Sequence, residues 1–289
     1  MSTTTIDKAN LGTLPTRSVA RTRRPQRRVV RRLPVRKLWP FHVILLLQIG
    51  VFAAALGLWE ISARQGWVNA FFWSQPSVIW STLKVFFESG NAWVDISYTF
   101  RSTLMGFFLG TVIGSALGLS FWWSRNYAAI MQPYIICFES LPKLALAPLI
   151  ILVFGMDLAS KVAIATALTL VVSTLTAYAG VRAIDPDGER LFYSLGATRW
   201  QVFKKLVVPA CIPWIISILR VNIGLALTGS IVGEFIASQH GLGRTIMYAG
   251  QTYEIALVWV AVLVLATLSV VMYICVSWLE RVLRKGVTH

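Results

Sequence analysis

Residues 100–123 read FRSTLMGFFLGTVIGSALGLSFWW, and beyond Arg101 they carry no charge. About 20 residues of helix cross the hydrocarbon core of a bilayer, so the stretch is long enough to span one. Backbone amides in lipid must bond within their own segment, which makes the run a helix rather than a strand. Gly106, Gly110, Gly114 and Gly118 recur at every fourth position and share one helix face. Such a face admits a second helix at close range, from the same chain or from another subunit.

Working outward, five more apolar runs predict spans over Phe41–Trp59, Pro133–Phe154, Ser160–Gly180, Pro213–Ile236 and Ile255–Leu279. The 289 residues are 56% hydrophobic and only 13% charged, a balance no ordinary soluble domain shows. The expected fold is therefore all-α and integral to the membrane, with six transmembrane helices. The first run continues past Ala53, Ala54 and Ala55 to Trp59, too long for a signal core, and reads as an uncleaved anchor. Gly229 and Gly233 on the fifth run form a second small-residue strip for helix packing.

Charge placement supplies an orientation. The first 38 residues hold eleven Lys and Arg, from Lys8 to Lys37, against the single acid Asp7, so most of the chain's net +15 sits there. This 1–38 arm is polar, lacks apolar periodicity and is expected to be disordered. It abuts the first span, where a cytoplasmic positive flank explains it better than nucleic-acid binding does. An even number of spans puts both termini in the cytoplasm. The inside segment 181–212 holds Arg182, Arg190, Arg199, Lys204 and Lys205, whereas the outside loops offer mainly Arg64, Lys84 and Arg244. Tryptophans 39, 59, 122, 123, 259 and 278 fall near span ends, as interfacial aromatics do. In the outside loop, Val78, Ile79, Leu83, Val85, Phe86 and Phe87 predict a short amphipathic helix lying on the membrane or against the bundle.

Ionisable residues inside a span mark candidate functional sites. Glu139 and Lys143 are four apart on the third run, and Arg220 lies at comparable depth on the fifth. Either Glu139 pairs structurally with one of these cations, or Lys143 and Arg220 face a translocation path together with Thr169 and Ser173, Glu139 neutralising one of the two. On this count Glu139 is the single acid at that depth. The stripe Thr166, Thr169, Ser173 and Thr176 either lines a wet path or bonds to carbonyls of its own helix. Pro142 and Pro148 predict a kink or break in the third span. Cys137, Cys211 and Cys275 have no paired or metal-binding spacing, and no G-x-x-x-x-G-K-[ST] phosphate loop occurs. The chain is accordingly read as neither an enzyme nor a holder of a cofactor or metal.

The segment 185–212 contains DPDGERLFYSLGATRWQVFKKLVVP, helical on both sides of Gly196 and closed by Pro209. It resembles the EAA loop of bacterial ATP-binding-cassette importer permeases, in which a Pro follows a Gly by thirteen positions, as Pro209 follows Gly196. Ala179-Gly180-Val181-Arg182, Ser194 to Trp200, Leu141 to Leu149 with Phe154-Gly155, and Gly241-Leu242-Gly243 are similar to the nitrate, sulfonate, taurine and bicarbonate branch of that family. One departure is plain: the family's Glu-Ala-Ala falls on Arg190-Leu191-Phe192, with Glu189 one position early.

The resemblance implies a type I, MetI-like permease fold over residues 39–289 in the bacterial inner membrane. It implies a homodimer, two ATP-binding subunits that carry ATP and magnesium, and a periplasmic or lipid-anchored binding protein. It assigns coupling to the ATPase to Glu189, Arg190, Leu191, Ser194, Leu195, Gly196, Ala197, Trp200 and Pro209. The substrate it favours is a small anion such as a sulfonate or nitrate, with a vitamin precursor or aromatic acid as the alternative. An ion-coupled secondary transporter and a membrane scaffold are the readings from other classes, and the inner loop argues against both.

Overall fold

The computed structural model describes residues 40–287, and the expected 1–38 arm lies outside them. The chain divides at Gly50, so the start of the first helix belongs to one unit and Val51 onward to the other. In chain order the helices are α1 Phe41–Arg64, α2 Ala70–Trp73, α3 Pro76–Glu88, α4 Asn91–Ser120, α5 Arg125–Ser140, α6 Ala147–Phe154, α7 Leu158–Arg182, α8 Pro186–Ser194, α9 Arg199–Val202, α10 Val208–Ile236, α11 Leu242–Gln251 and α12 Ile255–Val287. No strand occurs among the described residues. Five helical segments are long and apolar enough to cross a membrane, and α5 with α6 makes a sixth if the bent pair is one span.

The second unit is organised around α7, which lies between α4 and α10. A Cβ added to Gly106 would collide with Ala165, one on Gly110 with Thr169, one on Gly114 with Leu170 and Ser173, and one on Gly118 with Thr174 and Ala177. The four-residue repeat thus faces α7, within the chain. On the other flank a Cβ at Gly229 would stand 2.8 Å from the Ala165 Cα, and one at Gly233 3.1 Å from Lys161. Lipid tails are as apolar as leucine, so helices in a bilayer associate through close packing and hydrogen bonds rather than burial from water. Phe107, Ala165, Leu219, Ile223, Ala226, Met272 and Val276 extend this core to α12.

The amphipathic helix of the outer loop is α3, and it packs against the bundle. Ile79 and Phe86 are buried with Ala92, Leu242 and Val260. In α1, Phe52 and Leu58 are 67% and 66% exposed, as suits a side that meets lipid.

Prolines shape two spans, the third breaking as expected and the fifth starting earlier than expected. The third is two helices meeting at 80°. Leu141, preceding Pro142, is driven to extended backbone at φ −67°, ψ 137°, and a 3₁₀ turn over Lys143–Leu146 leads into α6. The fifth begins earlier than Pro213: one helix runs from Arg199 to Ile236. Pro209 does not end it, because a π-turn over Phe203–Val207 widens the ladder just before the position where a proline withholds its N–H.

Replacing Gly110 with Leu should lower stability by about 1–3 kcal/mol or prevent assembly, since the new side chain overpacks the α4–α7 seam. Gly224→Ala, where nothing lies within 4 Å, should be neutral or stabilising. Thermal unfolding in detergent distinguishes the two, and a wild-type melting temperature for the Gly110 variant would contradict the seam.

Candidate functional site: a coupling corner and a buried polar knot

At one end of the bundle α8 and α9 form a compact corner. The Asp185 carboxylate caps α8 by accepting from the Asp187 N–H at 3.0 Å, and Thr198 with Gln201 closes a reciprocal capping box on α9. Between them Gly196 adopts φ +79°, a left-handed conformation that costs other residues about 1–2 kcal/mol. The Gly196 and Ala197 N–H groups return to the Tyr193 and Phe192 carbonyls, both at 3.0 Å.

Side chains from the end of α4 fasten this corner. Trp122 Nε1 donates to Glu189 Oε1 at 2.6 Å, and Arg199 Nη2 donates to the Trp123 carbonyl at 2.7 Å. The rings of Trp123, Trp200 and Phe203 lie 5.4–6.0 Å apart, centroid to centroid. Glu189 is therefore turned inward. Leu191 and Leu195 are 58% and 78% exposed, and Trp200 keeps 60% of its surface open. Ser194 donates to the Leu191 carbonyl, and Arg190 forms an exposed pair with Asp187 at 3.1 Å. Pro209 lies inside the long helix that leaves the corner.

The opposite end holds a polar knot assembled from four helices. Glu234 of α10 is 1% exposed, and its Oε2 accepts from the Thr99 hydroxyl at 3.0 Å and from the Gly243 N–H at 2.8 Å. Asp95 of α4 accepts from the Gly241 N–H at 2.8 Å and the Thr245 hydroxyl at 2.7 Å. The Leu242 N–H donates to Thr99 at 3.0 Å. Two carboxylates thus sit at the amino end of α11, where the helix dipole favours negative charge. Glycine is required here: Gly241 has φ +113°, and a Cβ on it would lie 2.5 Å from the Glu234 carboxyl group. Lys161 of α7 is fully buried, donates to the Met156 and Ala237 carbonyls, and lies in the field of Glu234 and Asp157.

The ion pairs expected of Glu139 do not form. Lys143 Nζ donates to the backbone carbonyl of Glu139 at 2.9 Å, not to its carboxylate, because the break at Leu141–Pro142 separates the two residues. Glu139 is exposed and Lys143 half-buried. Arg220 pairs instead with Glu280 of α12, which also meets Arg284 at 3.1 Å. Nor is Glu139 the single acid available to these helices, since Glu234 falls within the expected fifth span and Glu280 one residue past the sixth. Thr169 is fully buried, bonding to the Ala165 and Thr166 carbonyls of its own helix and to Gly106 across the seam. Ser173 donates to the Thr169 carbonyl and accepts from Asn222 Nδ2 at 2.7 Å. The stripe lies between helices in this conformation.

This bundle, with its fastened corner between two spans, has the form of a transporter's membrane subunit, and sequence comparison says which kind. The chain belongs to the family of binding-protein-dependent transport system inner membrane components, whose model matches residues 106–288. It is thus an ATP-binding-cassette importer permease, a multi-pass inner-membrane protein rather than a secondary transporter or scaffold. The formylaminopyrimidine transport permease ThiX of Halalkalibacterium halodurans is 29% identical over 80% of this chain and 92% of its own length. The taurine transport permease TauC of Escherichia coli is 26% identical over 84% and 90%. In fold the chain is similar to the inward-facing MetNI methionine transporter, with TM-score 0.58 and 16% identity over 68% of this chain and 95% of that one.

Replacing Glu234 with Leu strands the Gly243 N–H and leaves buried Lys161 with Asp157 as its remaining acid, so the variant should lose about 3–5 kcal/mol. Arg244→Gln, on the exposed side of α11, should melt like the wild type. Equal melting temperatures for all three proteins would show that the knot does not hold this end together.

Proposed function

We propose that two copies of this chain form the membrane path of an importer driven by two separate ATP-binding subunits, which hold ATP and magnesium. A periplasmic or lipid-anchored binding protein delivers the substrate. Both termini and the α8–α9 corner face the cytoplasm. ATP-driven closure of the motor subunits pushes on the corner and rocks the paired bundles between inward- and outward-facing states.

The observation that carries this reading is the corner itself. Leu191, Leu195 and Trp200 present an exposed apolar face, with Arg190, Ser194, Gly196 and Ala197 around it, for a motor subunit to grip. Glu189 secures the corner to α4, and through Pro209 the second half of the corner is one helix with α10, so a push is delivered to two spans at once. Gly196→Val should leave the permease in the membrane yet release or uncouple the ATPase, measured as ATP hydrolysis and uptake in reconstituted vesicles. Normal coupled uptake by that variant would refute the assignment.

The favoured substrate is a small anion, a sulfonate or nitrate. Support comes from Lys143, whose ammonium meets a carbonyl and no carboxylate among the described residues, at the break between α5 and α6. A vitamin precursor is the second reading, favoured by the likeness to ThiX. Lys143→Gln should cut uptake at least about tenfold, the effect of losing roughly 1.4 kcal/mol of binding, with the complex still assembled. Unchanged uptake removes Lys143 from the path, and ligand binding by the partner binding protein identifies the substrate.

A further inference from the structure

Beside the corner, on its bundle side, lies a cavity of about 700 Å³ between the end of α4, the start of α5, the end of α7 and α8. Its wall includes three guanidinium groups, Arg125 of α5, Arg182 of α7 and Arg199 of α9, against the single carboxylate of Glu189. Glu189 already accepts from Trp122, and Arg199 donates to the Trp123 carbonyl. Arg125 and Arg182 make no hydrogen bond or ion pair among the described residues. Two cations from different helices thus border one concavity whose single acid, Glu189, is already engaged by Trp122. The amino end of α5 opens there too, adding its partial positive charge.

We propose that this cavity binds the phosphate of an anionic lipid headgroup. A phosphate suits the fork geometry of guanidinium groups, which offer paired N–H donors to its oxygens. Basic pockets between spans at the membrane surface are where such headgroups seat. The surroundings favour a lipid over free phosphate: Trp122, Trp123 and Tyr178 ring the site as interfacial aromatics do. A turn further along α5, Ile130 and Tyr134 are 62% and 59% exposed and offer an apolar surface to acyl chains. The occupant does not compete with the proposed motor. Pro186, Glu189 and Tyr193 line the cavity, whereas Leu191, Ser194 and Leu195 lie on other faces of α8. A bound phosphate would cross-link α5, α7 and α9 at the base of the corner and stiffen it from the membrane side. The inference goes beyond the coupling role, and its lipid titrations need no ATP hydrolysis.

The full-length permease in detergent is titrated with dioleoylphosphatidylglycerol, with dioleoylphosphatidylcholine and with inorganic phosphate, and bound species are counted by native mass spectrometry. The wild type should hold one phosphatidylglycerol in preference to phosphatidylcholine. At about fivefold per arginine, the double variant Arg125→Gln, Arg182→Gln should lose roughly twenty-five-fold in that affinity. Its melting temperature should not change, because neither guanidinium is bonded in the fold. An unchanged phosphatidylglycerol affinity in the double variant overturns the site. Inorganic phosphate binding as tightly as the lipid assigns it to the free ion and overturns the lipid. Expulsion of the lipid on adding the cognate ATP-binding subunits assigns the arginines to an acidic protein partner, which also overturns the proposal. A null result leaves the coupling role of Gly196 to its own vesicle experiment.

Discussion

The approach of α4 and α10 to α7 at backbone distance is the constraint from which the rest of the architecture follows. Without water to drive apolar surfaces together, three long helices stay joined only if they touch closely and satisfy one another's polar groups. Glycines at 106, 110, 114, 118, 229 and 233 provide the closeness. Thr169 bonding to the Gly106 carbonyl, and Asn222 bonding to both Thr111 and Ser173, provide the satisfaction. Side chains that would be costly to bury alone become part of the adhesive once the seam is narrow enough for them to reach across.

Both ends of the triplet inherit its geometry. At one end α4 and α10 hold Asp95, Thr99 and Glu234 close enough to grip the start of α11. At the other, the last turn of α4 brings Trp122 and Trp123 onto Glu189, Arg199 and Trp200. The broken α5–α6 pair packs one side of α6 on α7 and α10 through Ala147 and Ile151, and leaves Leu152 86% exposed and Val153 71%. The molecule therefore combines a tightly packed three-helix unit with a bent span that the chain covers on one side only. A two-state transporter needs that contrast, because rigid bodies move as wholes only where some contacts are easily exchanged.

Much of this is legible in the residues, and the exceptions have physical causes. The spans follow from apolar length alone, and the glycine repeat marks the face that seeks a partner, though the sequence leaves open which helix arrives. The corner is legible because Gly196, Asp185 and Thr198 each have a local conformational reason to be where they are. The ion pairs are not, because helical spacing holds only while the helix does: Pro142 turns the Glu139–Lys143 interval into a corner. Counting charges by depth also fails where a long helix extends past the expected end of its span, as α12 does in presenting Glu280 to Arg220. Glu234 and Lys161 carry a weak signal, an ionisable residue beside small ones, but half of their partners are backbone groups of Met156, Ala237 and Gly243, which have no signature in sequence.

The knot also bears on how the chain is made. Lys161 is synthesised well before Glu234, and before the Ala237 carbonyl that accepts from it. An ammonium inside hydrocarbon costs at least about 2.5 kcal/mol when alone, and before α10 arrives Lys161 has Asp157 and the Met156 carbonyl to offset that cost. That charge is settled only when α10 arrives and α11 folds over it. A nascent chain halted between α7 and α10 has Asp157 and the Met156 carbonyl beside Lys161, and lacks both Glu234 and the Ala237 carbonyl. The residues that close the finished bundle are thus fully partnered only when its later helices are in place.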